Sequence, residues 1–189
     1  MKKKIITIAG AIGSGKSSTA KAIAAQLGFK HFSSGDLFRS IAAERGLSIE
    51  ALNLSAEEQQ EIDHQVDELL EKMGREEDRL VIDSRLAWHW MPQSFKVYLA
   101  LDPDTAAERI FNHMQTEGRV SQTASSVEEV RNNIDTRVQS EHKRYKNLYN
   151  IDVTDTTPFD VVVDTRVNSL NEVVSLIIEN YKVWLEEEN

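Results

Sequence analysis

Eight consecutive residues, 10–17, form the most specific chemical pattern in this sequence. The glycines in this stretch allow positive φ angles, so that backbone N–H groups can converge on phosphate oxygens. Lys16 adds a mobile positive charge, and the Ser17 hydroxyl stands where this pattern requires a magnesium ligand. The pattern predicts that the phosphates of a nucleoside triphosphate are bound by Gly10, Ala11, Ile12, Gly13, Ser14, Gly15, Lys16, Ser17 and Ser18.

Four arginines have the chemistry to hold the phosphates of a second ligand, because the planar guanidinium group suits phosphate oxygens. Arg39 follows Asp36 by three residues, and Arg85 lies just past a buried apolar run. Arg137 and Arg144 are seven residues apart, which places them about 20° apart on one helix face. Two simpler interpretations remain open. Arg39 could form an intrahelical pair with Asp36, and Arg137 and Arg144 could belong to a series of exposed ion pairs along their helix.

Asp83 ends the apolar run that precedes Arg85. Its carboxylate either orients a magnesium ion or caps the following turn, and we favour the metal role. Nearby, Trp88 and Trp90 invite a base-stacking role, but packing under a helix is the preferred interpretation. The five histidines show no metal-ligand spacing, so we expect no histidine metal site.

Apolar periodicity predicts the elements that position these residues. It predicts strands at about residues 4–9, 29–32, 79–83, 95–101 and 159–163. It predicts helices from the phosphate-binding loop to Gly28, from Ser34 to Gly46, from a capping box at Ser55 to Gly74, and at 105–114, 127–148 and 168–185. Alternating strands and helices indicate an α/β fold, with a parallel sheet covered by helices on both faces and ligands at the carboxyl ends of the strands.

Length and composition fit one ordinary globular domain. The 189 residues are 40% hydrophobic and 28% charged, and no apolar run approaches a membrane span. A net charge of −9 argues against a nucleic-acid partner, although local arginines and lysines can still govern a nucleotide site. The lysines at positions 2–4 precede only a short apolar run, so we interpret them as a strand flank rather than a signal peptide. Zero cysteines agree with a reducing compartment. From these features together we expect a cytoplasmic protein without membrane or nucleic-acid partners, and we expect it to be a monomer.

The sequence resembles the nucleoside monophosphate kinases, and within them the cytidylate kinases of the shorter type that lack a large inserted domain. The resemblance covers nearly the whole chain and rests on residues 10–17, 34–39, 81–86 and 137–152. It implies a three-layer P-loop NTPase fold, with a five-stranded parallel sheet, in a single domain at 1–189. Within that domain it implies an acceptor-binding region at about 33–75 and a lid over ATP at about 112–137, of which the polar stretch 115–126 is the most mobile candidate.

Following this resemblance, we expect transfer of the γ-phosphoryl group of ATP to CMP or dCMP, with Mg²⁺ as cofactor. The expected catalytic residues are Lys16, Arg85, Arg137 and Arg144. The expected acceptor-binding residues are Ser34, Gly35, Asp36, Phe38, Arg39, Asp63 and Arg85, and the expected metal-binding residues are Ser17 and Asp83.

Three positions depart from the family pattern. The family often has glycine where Ser84 and Asn150 stand, and glutamate where Val138 follows the helix arginine. These departures bear on the placement of the arginines more than on the fold. Two other functions stay open: a kinase for AMP, UMP or another small phosphate or alcohol acceptor, and a non-catalytic nucleotide switch, which would not need the four arginines.

Overall fold

The computed structural model describes residues 3–47, 52, 61–117 and 124–187. The predicted capping box at Ser55 and the centre of the predicted lid, 118–123, lie outside the described residues. Among the described helices, none combines the length and the apolar character that crossing a membrane requires.

A five-stranded sheet in which every neighbouring pair is parallel forms the centre of the fold. The strands are β1 (Ile5–Gly10), β2 (Lys30–Ser33), β3 (Leu80–Asp83), β4 (Phe95–Ala100) and β5 (Val161–Asp164). Their order is β2-β3-β1-β4-β5, so that β1 lies in the middle, and all six of its residues are buried. The predicted fold class is confirmed, and each predicted strand overlaps its observed counterpart.

The described residues form seven helices around this sheet. They are α1 (Lys16–Leu27), α2 (Ser34–Glu44), α3 (Glu61–Glu76), α4 (Ala87–Trp90), α5 (Pro103–Glu117), α6 (Val127–Tyr149) and α7 (Leu170–Glu186). Side chains of α1 and α7 pack with Ile6 and Ile8 of β1 on one face. Side chains of α3 and α4 pack with Ile5 on the other face, because successive side chains of a strand point in opposite directions.

Helices α5 and α6 pack against each other beside the phosphate-binding loop. Ala106 and Ala107 of α5 form a buried cluster with Val130 and Ile134 of α6, and Ile12 of the loop joins this cluster. The long helix predicted from residue 127 is confirmed, and the side chain of Ser126 caps its first turn. This cluster places helix α6 beside the phosphate-binding loop.

Two of the predicted helix ends have different outcomes. Gly28 adopts a left-handed conformation with φ 65° and ends α1, as predicted. Gly74, by contrast, does not end α3, which continues to Glu76. A Cβ atom at Gly74 would lie 2.8 Å from Cγ of Met91, so this glycine serves close packing against the segment after α4. The prediction of a helix end at Gly74 was wrong because a tertiary contact, not a turn, requires the glycine.

Two departures from the family pattern leave the backbone intact. Asn150 adopts φ 56° after α6, and its N–H donates to the carbonyl oxygens of Lys146 and Tyr145. Asparagine tolerates this left-handed region better than most residues, so it replaces the glycine of the family at a helix end. Ser84 is not among the described residues with positive φ, and its buried N–H donates to the Ile8 carbonyl oxygen at 3.1 Å. The backbone at position 84 therefore does not require glycine.

Candidate functional site

A cleft of about 860 Å³ opens beside the phosphate-binding loop and runs between the starts of α1 and α2, helix α3 and helix α6. It lies at the carboxyl ends of β1, β2 and β3, where a parallel sheet is expected to bind ligands. Most of the predicted site residues line it: Ile12, Gly13, Gly15, Lys16, Ser17, Ser18, Ser34, Gly35, Asp36, Phe38, Arg39, Asp63, Asp83, Arg85, Arg137 and Arg144. The loop residues Gly10, Ala11 and Ser14 do not line this cleft.

The backbone of the phosphate-binding loop is fixed by its glycines. Gly10, Gly13 and Gly15 have φ angles of 142°, 75° and 82°, a region that side chains with a Cβ atom rarely adopt. A Cβ atom at Gly10 would also lie 2.7 Å from the Leu99 nitrogen, so β4 leaves no room for one. Ser14 is buried and donates its hydroxyl to the Ala11 carbonyl oxygen at 2.8 Å, which closes the loop from inside.

The start of α1 faces the cleft with free N–H groups. Gly15 occupies the position before the helix, and no side chain in the described part of the chain caps it. Uncapped N–H groups and the positive end of the helix dipole together attract an anion. The loop and this helix start can therefore hold phosphate oxygens without any further group.

Lys16 spans the loop. Its Nζ atom donates to the carbonyl oxygens of Gly10 at 3.0 Å and Ala11 at 2.7 Å. Burial lowers the pKa of Lys16 well below its usual value, and the positive charge of Arg85 lowers it further. A negatively charged phosphate would raise the pKa of Lys16, because it favours the protonated amine.

Asp83 is a buried carboxylate that joins three segments of the chain. Its Oδ2 atom accepts from the Ser17 hydroxyl at 2.5 Å and from the Ser33 hydroxyl at 3.0 Å. Its Oδ1 atom lies 2.8 Å from Nε2 of His31. The side chain does not cap the turn after β3, since its partners lie on α1 and β2, and the simpler interpretation of Asp83 is therefore not supported.

The oxygen atoms of Ser17 and Asp83 are chemically suited to Mg²⁺. The described residues contain no group of three or more histidine, cysteine, aspartate or glutamate side chains that could hold a metal ion by themselves. Mg²⁺ keeps several water ligands and binds through one or two protein oxygens together with substrate phosphates, so it does not require such a group. A hydroxyl and a carboxylate beside a phosphate-binding loop fit this mode.

Two of the predicted arginines meet at one carboxylate, Glu141 of α6. Nε of Arg85 lies 2.8 Å from Oε2 of Glu141, and Nε of Arg137 lies 2.9 Å from Oε1. Arg85 also donates to the Gly10 carbonyl oxygen, so it connects the phosphate-binding loop to α6. Burial by itself would raise the pKa of Glu141, but the two arginines lower it to about 2. These residues form a charge cluster around a buried carboxylate, not an exposed ladder.

Arg144 forms a second buried ion pair, with Asp63 of α3. Its Nε atom lies 2.7 Å from Oδ2 of Asp63, and its guanidinium carbon lies 5.1 Å from the centre of the Tyr145 ring. Burial raises the pKa of Asp63 to about 6, although Arg144 acts in the opposite direction. The pair joins α3, in the predicted acceptor-binding region, to the long helix.

A polar contact also joins the two helices one turn further on. Asp67 of α3 accepts from the Tyr149 hydroxyl and, at 2.9 Å, from Nε1 of Trp90. Trp88 packs near Phe159, with ring centres 5.3 Å apart. Both tryptophans pack against the buried cluster of Leu86, Tyr145 and Ile151, so the packing interpretation of these aromatic residues is confirmed.

The start of α2 brings the remaining predicted acceptor residues to the cleft. Asp36 and Arg39 pair with each other at the exposed surface, so the intrahelical interpretation describes this state of the structure. The hydrogen bond from Arg39 lowers the pKa of Asp36. Ser34 donates to the backbone oxygen of Asp83 at 3.4 Å, and Phe38 packs beside the core under α3.

Several cleft residues were not predicted from the sequence. Glu141 stands between Arg137 and Arg144 in the sequence, but its partner Arg85 is distant in the sequence. Arg109 donates to the Thr165 backbone oxygen at 2.7 Å and lines the cleft, and no sequence motif marks it. Lys21 lies one helical turn after Ser17 and lines the same wall, a spacing that could have identified it.

Comparisons with known proteins place the chain in a family. The model of the cytidylate kinase-like family matches residues 5–167. A cytidylate kinase of Haloquadratum walsbyi is 40% identical over 176 residues, which cover 92% of this chain and 86% of that protein. A cytidylate kinase of Archaeoglobus fulgidus is 32% identical over 179 residues and 94% of each chain.

A solved structure agrees with this placement at the level of the fold. The shikimate kinase of Bacteroides thetaiotaomicron superposes with a TM-score of 0.62 at 14% identity, over 96% of this chain and 98% of that one. The phosphate-binding loop, the parallel sheet and the match along most of the sequence agree with one another. The chain therefore belongs to the cytidylate kinase-like family, and it is a nucleoside monophosphate kinase.

Proposed function

We propose that this enzyme transfers the γ-phosphoryl group of ATP to CMP or dCMP, giving ADP and CDP or dCDP. The observation that carries the proposal is a cleft with a phosphate-binding loop on one side and arginines from three separate segments on the other. A loop alone would serve a nucleotide switch. The arginines supply the second half of a two-substrate site, which a switch does not need.

The donor half would hold the triphosphate of ATP. Backbone N–H groups of the loop and of the α1 start would bind its phosphate oxygens, and the Nζ atom of Lys16 would turn from the Gly10 and Ala11 carbonyl oxygens toward the β and γ phosphates. Ser17 and Asp83 would hold Mg²⁺ there. When bound, this ion neutralises negative charge on the β and γ phosphates.

The arginines would hold the acceptor and meet the migrating charge. Arg39 and Arg85 would bind the acceptor phosphate, while Arg137 and Arg144 would contact the transferred phosphoryl group. The phosphoryl transition state is loose, so that positioning and charge stabilisation supply most of the catalysis and no strong general base is required. The negatively charged acceptor phosphate would replace part of the attraction that Glu141 now supplies to Arg85.

The acceptor base would lie along α2 and α3. Ser34, Gly35, Asp36, Phe38 and Asp63 line this part of the cleft and offer both polar and aromatic contacts. The match to cytidylate kinases over most of the chain supports a cytosine base in this position. We further propose one domain over residues 1–189, with residues 112–137 closing over ATP and excluding water, in a cytoplasmic monomer.

An ADP-release assay over a panel of acceptors tests this proposal. ATP, Mg²⁺ and one of CMP, dCMP, UMP, AMP or GMP are supplied to the enzyme, and the Lys16→Ala variant, purified in the same way, reports contaminating activity. We expect CMP and dCMP to give the highest kcat/KM. A higher value with AMP or UMP would change the acceptor but keep the enzyme class. No stimulation by any monophosphate would contradict the kinase function.

A further inference from the structure

His31 contacts Asp83, the buried carboxylate of the candidate metal site. No sequence motif identifies His31 as a site residue. Ser33 of β2 pairs directly with Asp83 of β3, and His31 pairs with Val81, two positions earlier on both strands. Residues two apart on a strand point to the same face, and a long side chain reaches its diagonal neighbour. The pairing of β2 with β3 therefore directs the imidazole of His31 toward Asp83.

The three donors divide the two carboxylate oxygens between them. Oδ2 accepts from Ser17 and Ser33, whereas Oδ1 lies against Nε2 of His31 at 2.8 Å. A carboxylate can only accept, so Nε2 carries the hydrogen of this contact. The terminal torsion of an aspartate is broad, and a partner on each oxygen restricts it more than two partners on the same oxygen. His31 is thus the group that fixes the plane of this carboxylate.

His31 lies at the margin of the core, on the edge strand β2. The adjacent Phe32 points to the opposite face and packs beside the core under α3, whereas the side chain of His31 keeps 18% of its surface exposed on the edge strand. The hydrogen bond of His31 to Asp83 is the described contact that explains a histidine at this position.

We propose that His31 is a positioning residue for the magnesium–ATP half of the site, an inference that rests on the proposed function. By holding Oδ1 of Asp83, His31 keeps Oδ2 turned toward Ser17. The single hydrogen of the Ser17 hydroxyl then goes to Asp83, and its oxygen lone pairs remain available to Mg²⁺. Without His31 the carboxylate can rotate, and Ser17 loses a fixed acceptor for its hydrogen.

The test compares a variant that lacks the donor with one that keeps it. His31→Leu preserves size but cannot donate, whereas His31→Gln places an amide N–H near the position of Nε2. The matched control is His142→Leu on α6, because His142 lies 3.5 Å from Oδ1 of Asp152 in an exposed pair away from the cleft. Should His31→Leu not fold, as judged by circular dichroism and Tm, His31→Ala takes its place.

The first readout is binding rather than turnover. Calorimetry measures the affinity for the non-hydrolysable β,γ-imido analogue of ATP as Mg²⁺ is increased. Loss of an outer partner typically lowers metal affinity by 10–100-fold, so we expect His31→Leu to raise the Mg²⁺ midpoint about tenfold. His31→Gln should stay within about threefold of the wild-type protein, and the control should be unchanged. The KM for the acceptor should stay within about twofold in all variants.

Each other outcome has a definite meaning. A His31→Leu midpoint equal to the wild-type value would overturn the inference and leave the proposed function intact. Equal losses in His31→Leu and His31→Gln would also overturn it, because a structural role does not depend on the N–H donor. Failure of the wild-type protein to bind the analogue in an Mg²⁺-dependent way would instead overturn the proposed function.

Discussion

The two sides of the cleft are built on different principles. The phosphate-binding side is a continuous loop whose shape comes from backbone angles at Gly10, Gly13 and Gly15. The arginine side is assembled from the segment after β3, from α3 and from α6 by ion pairs to Glu141 and Asp63. A loop fixed by its backbone is formed before the ligand arrives. Arginines held by carboxylates are positioned as well, but a phosphate must compete with those carboxylates for them.

Because the loop is already formed before the ligand binds, we expect the largest loss of activity when the positive charge of Lys16 is removed. Lys16→Ala removes the amine without disturbing the glycine angles, so the loop keeps its shape but loses its mobile charge. We expect kcat/KM to fall by about 10³, in line with the loss of a preorganised electrostatic contact. Steady-state kinetics measure this, with the exposed Lys182→Ala as a control within twofold. More than a tenth of normal activity in Lys16→Ala would remove the lysine from the mechanism.

The next effect concerns the arginine expected to contact the migrating phosphoryl group. Arg137→Ala should lower kcat by about 10³ while the affinity for ATP changes little, because the contact forms mainly in the transition state. Arg131→Ala is the matched control on the same helix, where Arg131 pairs with Asp104 and Asp135 outside the cleft. Near-normal kcat in Arg137→Ala would assign this arginine to stability instead.

Glu141→Gln tests whether the arginine side depends on its shared carboxylate. The substitution keeps the shape but leaves Arg85 and Arg137 without their common negative partner. Removal of one partner from a buried charge pair should lower the free energy of unfolding by about 3 kcal/mol, and kcat/KM should fall about tenfold. Urea denaturation and kinetics measure both quantities, with the exposed Glu128→Gln as control. Unchanged stability would show that the arginines do not need Glu141.

The smallest expected effect is a pH dependence of the free energy of unfolding, which has opposite signs for Asp63 and Glu141. The folded pKa of Asp63 is raised to about 6, so Asp63 stabilises the fold as pH falls from about 7 toward 4, by about 2.5 kcal/mol. The folded pKa of Glu141 is lowered to about 2, so its contribution is present above about pH 4.5 and is lost as pH falls toward 2.

Urea denaturation at pH 7, 5 and 3 measures these contributions. Asp63→Asn should remove the gain between pH 7 and 5, whereas the exposed Asp152→Asn should keep it. The groups that act on Asp63 include Arg144, Asp67 and His64. A gain that persists in Asp63→Asn would therefore assign the titration to one of the neighbouring groups.

Much of the fold and half of the site could be predicted from the sequence. The strand and helix pattern follows from local apolar spacing, and the phosphate-binding loop follows from glycines within eight residues. The shared face of Arg137 and Arg144 was predicted because helix geometry relates residues that are close in sequence. The partners of these arginines were not predicted, since Arg85 and Asp63 reach α6 from distant segments.

The sequence by itself determined the parallel sheet, the phosphate-binding loop and the family resemblance, because each depends on residues that are neighbours along the chain. Only the tertiary structure decided that Glu141 joins two arginines, that His31 contacts Asp83, and that Gly74 makes room for Met91. These contacts depend on the order β2-β3-β1-β4-β5, and the order of strands is set by the packing of the whole domain. The spacing of residues along the chain does not indicate which distant side chains come into contact when the domain packs.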